Sequence, residues 1–276
     1  MTTFYEQEIS SEVQSLFNLA DSLNSRITAL KNNDQSLWLT IAKKLKVDWT
    51  YHSNSLEGST LTLGETLFFL NEGLTVEGKP FRDFLDARNH AEAIDYLYDI
   101  ISNQRDISES VIKEINALLL SGVTHTTAQN PQGEKVKKIL VSGEYKKQPN
   151  HVLQADGTIH KYVDPLNVKD EMEGLIRWVN ESIHHLNPIY VAAVAHYNLV
   201  RIHPFDDGNG RGARIFMNLI LIKSGFFPAV IRTEKKRSYL EALSTADKGD
   251  LMPFIQFIAT ELITTYEEVI SNLSLK

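Results

Sequence analysis

Apolar residues Ile9, Val13, Leu16, Phe17, Ala20, Leu23, Ile27 and Leu30 recur at steps of three and four, the spacing that lines one face of a helix. Asn32 and Asn33 end that pattern. A second one runs through Leu37, Ile41, Leu45 and Trp49 to Leu56, where Gly58 supplies a stop. Thr62 with Glu65 has capping-box spacing, and Asp106 with Glu109 an acidic version of it, which predicts helices beginning near 63 and 107. Between them a long helix is expected from Phe81 to Ser102. Later periodic stretches pass through Met172, Leu175, Ile176 and Val179, and then through Val191 to Val200, opened by Asn187-Pro188. Three more helices are predicted near 210–224, 234–246 and 252–272. Residues 122–150 are polar and without a period. One hairpin stands out in HVLQADGTIHKYV, where two short extended segments flank the turn dipeptide Asp156-Gly157.

These elements predict a mainly α fold, a helical bundle with a small β-hairpin. Residues 61–276 are expected to form one compact unit, preceded by an N-terminal helical segment over 1–60. With 276 residues, 42% of them hydrophobic, the chain has material for a full core. Twenty-eight basic against 35 acidic residues leave a net charge of −7, which argues against a nucleic-acid or anionic-membrane binder. The absence of cysteine excludes disulfides, thiolate zinc sites and cysteine nucleophiles. The first twenty residues carry three Glu and no Lys or Arg, unlike a targeting segment, and no apolar run approaches the roughly 18 residues a membrane helix needs. A soluble, cytoplasmic protein is the expectation.

The chemistry concentrates in HPFDDGNGRGAR, residues 203–214, between two apolar helical patterns. Gly208, Asn209 and Gly210 can turn successive backbone N–H groups toward one point, an anion nest at a helix N-terminus. Arg211 and Arg214, three apart, share a helix face and can hold further phosphates. Asp207 is a hard oxygen ligand for a magnesium ion bridging phosphates. His203 is a side chain suited to general-base work near neutral pH. Singly, each has an ordinary structural use. Together within twelve residues they point to a phosphate-bearing ligand.

This stretch fits HPFx(D/E)GNGRxxR at every fixed position, so the chain resembles the Fic family of the Fic/Doc (Fido) fold. The resemblance extends from about residue 50 to 260, through LTLGETLFFLNEGLTVEGKPFRDFLDARNHAEA, NPIYVAAVAHYNLVRI and RSYLEALSTADKGDLMPFIQFIA. It implies transfer of AMP from ATP to a Ser, Thr or Tyr hydroxyl of a protein, self-modification included. His203 would take the hydroxyl proton and Asp207 would hold Mg2+. Asn209 with the nest amides of Gly208 and Gly210 would stabilise the α-phosphate, with Arg211 on the β-phosphate and Arg214 on the γ-phosphate. Phe205 is most simply a core anchor for the loop. The hairpin would be a flap that clamps the target chain, making Val152, Leu153, Gln154 and Ala155 candidate contacts. Tyr239 and Asp247 match positions lining the adenosine pocket, although relatives often carry Asn where Asp247 stands.

YHSNSLEG, residues 51–58, fits the pattern (S/T)xxxE(G/N) with Ser53, Glu57 and Gly58, and resembles the inhibitory helix of Fic proteins that carry it N-terminal to the catalytic core. By that resemblance Glu57 would pair with Arg214 and exclude the γ-phosphate. The same Glu57 could orient a water for removing AMP, so a de-AMPylase is an alternative, as is a catalytically silent nucleotide-binding regulator. A metal hydrolase lacks H-E-x-x-H, and a serine hydrolase lacks G-x-S-x-G. The expected partners are ATP and a protein target. The oligomeric state, a homodimer included, is left open.

Overall fold

The computed structural model describes residues 4–129, 134–153 and 157–273. Helix α1 (Ser11–Asn33) starts where the Ser10 hydroxyl accepts from the Val13 amide. Asp34 serves two helices: its amide donates to the Leu30 carbonyl at the end of α1, and its carboxylate accepts from the Leu37 amide to begin α2 (Gln35–Leu56). Both halves of the expected capping box are present at α3 (Leu63–Glu72), with the Glu65 amide donating to Thr62 Oγ1 and the Thr62 amide to Glu65 Oε2. Helix α4 spans Phe81–Ser102. Helix α5 (Glu109–Leu119) corrects one expectation, because its cap is Ser108 rather than Asp106. Glu109 is then free to accept from the Tyr145 hydroxyl at 2.7 Å.

The polar stretch after α5 holds a hairpin that periodicity does not reveal. Strands β1 (His125–Gln129) and β2 (Lys135–Ile139) pair antiparallel with His125 opposite Ile139. Lys138 on β2 reaches Asp206 at 2.6 Å, so this hairpin is tied to the 203–208 loop by charge rather than by an apolar face. The expected hairpin is shorter, with β3 (Val152–Leu153) antiparallel to β4 (Ile159–His160) in the register Val152 to His160.

The remaining helices are α6 (Val168–Ser182), α7 (Pro188–Ile202), α8 (Asn209–Lys223), α9 (Lys236–Ala246) and α10 (Met252–Leu273). Asn187 caps α7 through the Ile189 amide, and Pro188 occupies the first turn, where no N–H is needed. Ala192, Ala193 and Ala195 let neighbouring helices approach α7 closely, and α7 and α8 form the centre of the core. Helices α4, α5, α6 and α10 pack around them, α1 lies along α10, and α2 contacts α4, α8 and α10. Residues 213 and 215–221 of α8 are essentially inaccessible to solvent. Each large apolar side chain buried there contributes about 1.5–3 kcal/mol, so the two helix ends that meet at the 203–208 loop are rigidly held. Among the described residues no helix is long and apolar enough to cross a membrane.

Candidate active site

Helix α7 stops at Ile202, and His203 follows in the left-handed region at φ 51°, ψ 59°, a conformation uncommon for a residue with a side chain. Several bonds hold it there. The Lys146 amide donates to the Pro204 carbonyl at 2.8 Å, and Lys146 Nζ to the Ile202 carbonyl at 3.3 Å. Asn150 Nδ2 donates to the carbonyls of Phe205 at 2.8 Å and His203 at 3.5 Å. From inside the loop, Asn209 accepts from the Phe205 amide and donates to the Phe205 carbonyl. These bonds fix the Asn209 side chain to the loop while leaving its second Nδ2 proton and its backbone amide for an anion. Phe205 is buried against Tyr145, as an anchor should be.

The His203 Nδ1 lies 3.3 Å from the Val200 carbonyl, which can only accept, so the ring proton sits on Nδ1 and the Nε2 lone pair is free. Burial, reinforced by the Lys146 charge, pushes the imidazole down to about 3, so it is neutral at pH 7. Lys146, itself buried, is lowered to about 8 by desolvation. The Tyr162 ring stacks on His203 with centroids 3.7 Å apart and planes 18° from parallel.

Gly208 turns the chain into α8 at φ 78°, and a Cβ there would approach Asn116 Nδ2 to 3.2 Å. The amides of Asn209, Gly210 and Arg211 then open the helix with no carbonyl a turn ahead, whereas the Gly208 amide, counted in the expected nest, donates to Asp207 Oδ1. A carboxylate lies beside Gly210. Glu57 Oε1 sits where a Cβ on Gly210 would be, so Gly210 admits the acid by lacking a side chain. Arg214 Nη2 donates to Glu57 Oε1 at 2.7 Å and to the Ser53 carbonyl at 2.8 Å, while Nε donates to Ser53 Oγ at 2.9 Å. Burial pushes the Glu57 carboxyl up, but Arg214, with help from Arg211, outweighs it and holds the group below its ordinary value. Gly58 follows the Glu57 cap of α2 at positive φ, in keeping with its role as a stop.

Arg211 does not stand beside Arg214 as an equivalent second cation. It pairs with Asp86 at 2.6 Å and lies 3.7 Å from Asp207. Its buried Nε has no acceptor among the described residues, an orphan that an anion would satisfy. Asp207 accepts from the Gly208 amide and pairs with Arg82 at 3.2 Å. Among the described residues no cluster of three metal-binding side chains forms. One carboxylate fits a magnesium ion that arrives on a nucleotide and keeps its phosphate and water ligands, and does not fit a resident ion.

On the other side, Tyr239 is buried, with its hydroxyl 3.1 Å from His196 Nε2. Asp247 accepts from the Tyr197 hydroxyl and lies 3.9 Å from His160 of β4, so it ties α9 to the second hairpin. Val152 is half exposed on β3, and the Leu153 backbone faces Ile159 across the hairpin. Gln154 and Ala155 lie outside the described residues. Sequence reasoning missed Lys146, Asn150, Tyr162, Arg82 and Asp86, which sit far from the motif in sequence and carry no local signature.

The Fic/DOC family model matches residues 106–221. The crystal structure of a Fic domain containing signaling protein from Bacteroides thetaiotaomicron superposes with a TM-score of 0.80 at 30% identity, covering 92% of this chain and 96% of that one. This chain belongs to the Fic/DOC family. Fic-1 from Caenorhabditis elegans has the same fold, with a TM-score of 0.79 at 26% identity over 95% of this chain and 72% of that one. Among curated relatives, protein adenylyltransferase Fic of Nematostella vectensis is 35% identical over 211 residues, 76% of this chain and 45% of the relative. Protein adenylyltransferase fic-1 of Caenorhabditis briggsae is 32% identical over 214 residues, 76% of this chain and 38% of the relative. The chain thus spans less than half the length of the curated relatives it matches. The Fic motif at 203–214 occupies the junction of α7 and α8, the two central helices.

Proposed function

We propose that this Fic chain is a protein adenylyltransferase held in check by its own α2. The observation that supports this best is a neutral imidazole at the end of α7 facing the start of α8, where the Glu57 carboxylate is paired with Arg214 beside Gly210. In the reaction, His203 Nε2 accepts the proton of a target Ser, Thr or Tyr hydroxyl as that oxygen attacks the α-phosphorus of ATP. A new oxygen–phosphorus bond forms, the bond to the β-phosphate bridging oxygen breaks, and pyrophosphate leaves. The first-turn amides of α8 stabilise the charge that develops on the α-phosphate, and Arg211 supplies its unsatisfied Nε. Asp207 would hold Mg2+ brought by the nucleotide, and that ion supplies charge neutralisation between phosphates.

Glu57 opposes this in two ways. It occupies the guanidinium that would grip the outer phosphate, and it places negative charge against the nest itself. ATP entering beside it would seat with its α-phosphate out of line. Tyr239 and Asp247 would bound the adenosine side. The β3–β4 hairpin would present its free edge to an extended target segment, and Tyr162, stacked on the face of His203, leaves the in-plane Nε2 lone pair open to the target hydroxyl. Self-modification is the first product expected.

Labelled ATP tests the reaction class. Label from the α-position on protein supports AMP transfer. Label only from the γ-position means phosphorylation, and nucleotide binding with neither means a silent regulator.

A further inference from the structure

A cavity of about 690 Å³ lies between α1, α2, α4 and the end of α8, among residues that the Fic motif does not include. Its volume falls in the range of small-molecule sites. The walls are aromatic, with Trp38 and Trp49 from α2 facing Phe226 and Phe227 beyond α8. Its charge is one-sided. Asp95 is the single acid among the described lining residues, and Lys46 neutralises it at 2.5 Å. Lys31 stands 5.2 Å from the Trp38 ring centre and 5.7 Å from that of Phe227, and Lys43 adds a further cation. Among the described residues neither Lys31 nor Lys43 has a carboxylate within ion-pair distance.

We infer that this cavity binds a flat apolar molecule carrying a single negative charge, such as an aryl carboxylate or sulfonate, and that its occupancy is coupled to the Glu57–Arg214 pair. The ring system would lie among the aromatic walls, and the anion would meet Lys31 and Lys43. The coupling follows from the helices involved. Trp49, Ser53 and Glu57 are spaced by four on α2, so the cavity wall and the carboxylate share one helix face. Ile222, near the far end of the helix that carries Arg214, lines the same cavity. A ligand wedged there sets the spacing of α2 and α8, which the ion pair reads at the opposite end. The regulatory meaning of this coupling rests on the proposed function, whereas the binding does not.

The test uses the whole chain and two fluorophores of one shape, 8-anilinonaphthalene-1-sulfonate and the uncharged N-phenyl-1-naphthylamine. Saturable one-to-one binding of the sulfonate is expected, at least tenfold tighter than the neutral analogue. Lys31→Met should remove most of that preference, and Ala42→Trp, verified as helical by circular dichroism, should abolish binding by filling the cavity. Equal affinity for the two fluorophores, or undiminished binding to folded Ala42→Trp, overturns the site. By reciprocity, Glu57→Gly should shift the sulfonate affinity by about fivefold or more. Unchanged affinity in that variant overturns the coupling. None of these readings requires catalysis, so they stand or fall apart from AMP transfer.

Discussion

Glu57 and Arg214 meet at 2.7 Å although 157 residues separate them in the chain. The arginine is buried and donates two further bonds to Ser53, one turn earlier on the same helix as the acid. The end of α2 therefore seats on the start of α8 through one guanidinium and three acceptor atoms. A phosphate that competes for that guanidinium must displace a preformed set of bonds, not an isolated carboxylate. The proposed inhibition by Glu57 would therefore rest on the whole set of bonds, although the acid itself is partly exposed.

Ser53→Ala removes the Oγ that accepts from Arg214 Nε. A hydrogen bond to a charged group contributes about 1.5–3 kcal/mol, and urea unfolding should record a loss of that size. Labelling by ATP should rise, though less than for Glu57→Gly, because the carboxylate stays in place. Wild-type stability in this variant would mean that Ser53 does not help to hold α2.

Acid should unfold the protein through its buried histidines. Burial, with the Arg214 charge, pushes His196 down to about 3, and burial with Arg214, Arg211 and Lys46 pushes His90 well below its ordinary value. Both are neutral in the fold, while in the unfolded chain they take up protons below about pH 6.5. The contribution is fully present above pH 6.5 and is lost as pH falls below it, by about 1.4 kcal/mol per pH unit for each histidine, down to about pH 3 for His196. Tyr239→Phe leaves this slope nearly intact, and replacing His196 by Gln should lower it by about 1.4 kcal/mol per pH unit, leaving the share of His90. A stability that is level from pH 7 to 5 would contradict the account.

Tyr162 stacks on His203, the proposed base. Tyr162→Ala should expose His203 and let its pKa climb from about 3 toward 6.5, as followed by imidazole NMR shifts. An unmoved titration would show that the stack contributes nothing to His203 burial.

Asp207 is the proposed magnesium ligand. In the wild type, Mg2+ should strengthen ATP binding and support transfer, and chelation should abolish transfer. In Asp207→Ala, ATP affinity should be the same with and without Mg2+, measured by calorimetry. A magnesium effect retained in full would place the ion elsewhere.

Local signals in the sequence account for much of the fold. The apolar spacing of α1 and α2, the Thr62 cap and the Asn187-Pro188 start are each decided by chemistry within a few residues. The 203–214 motif is legible for the same reason, since an anion nest needs its glycines and donors consecutively. Long-range partners are not legible. The β1–β2 hairpin has a polar sequence held by Lys138 to Asp206, and so lacks the alternation that marks a half-buried strand. Asp86 takes Arg211 from a different helix, and Asn150 pins a loop more than fifty residues away. The bonds that tie the Asn209 side chain to Phe205 within the loop are equally invisible to residue type alone.

The central claim is that one carboxylate keeps a complete AMP-transfer site idle. Incorporation of α-labelled ATP into the protein should be compared for wild type, Glu57→Gly, and Glu57→Gly with His203→Ala. The account predicts at least a tenfold rise on removing Glu57, equivalent to about 1.4 kcal/mol of barrier, and a loss of about 10²–10⁴-fold when the base is also removed. Equal labelling by wild type and Glu57→Gly, or labelling that survives the loss of His203, would contradict it.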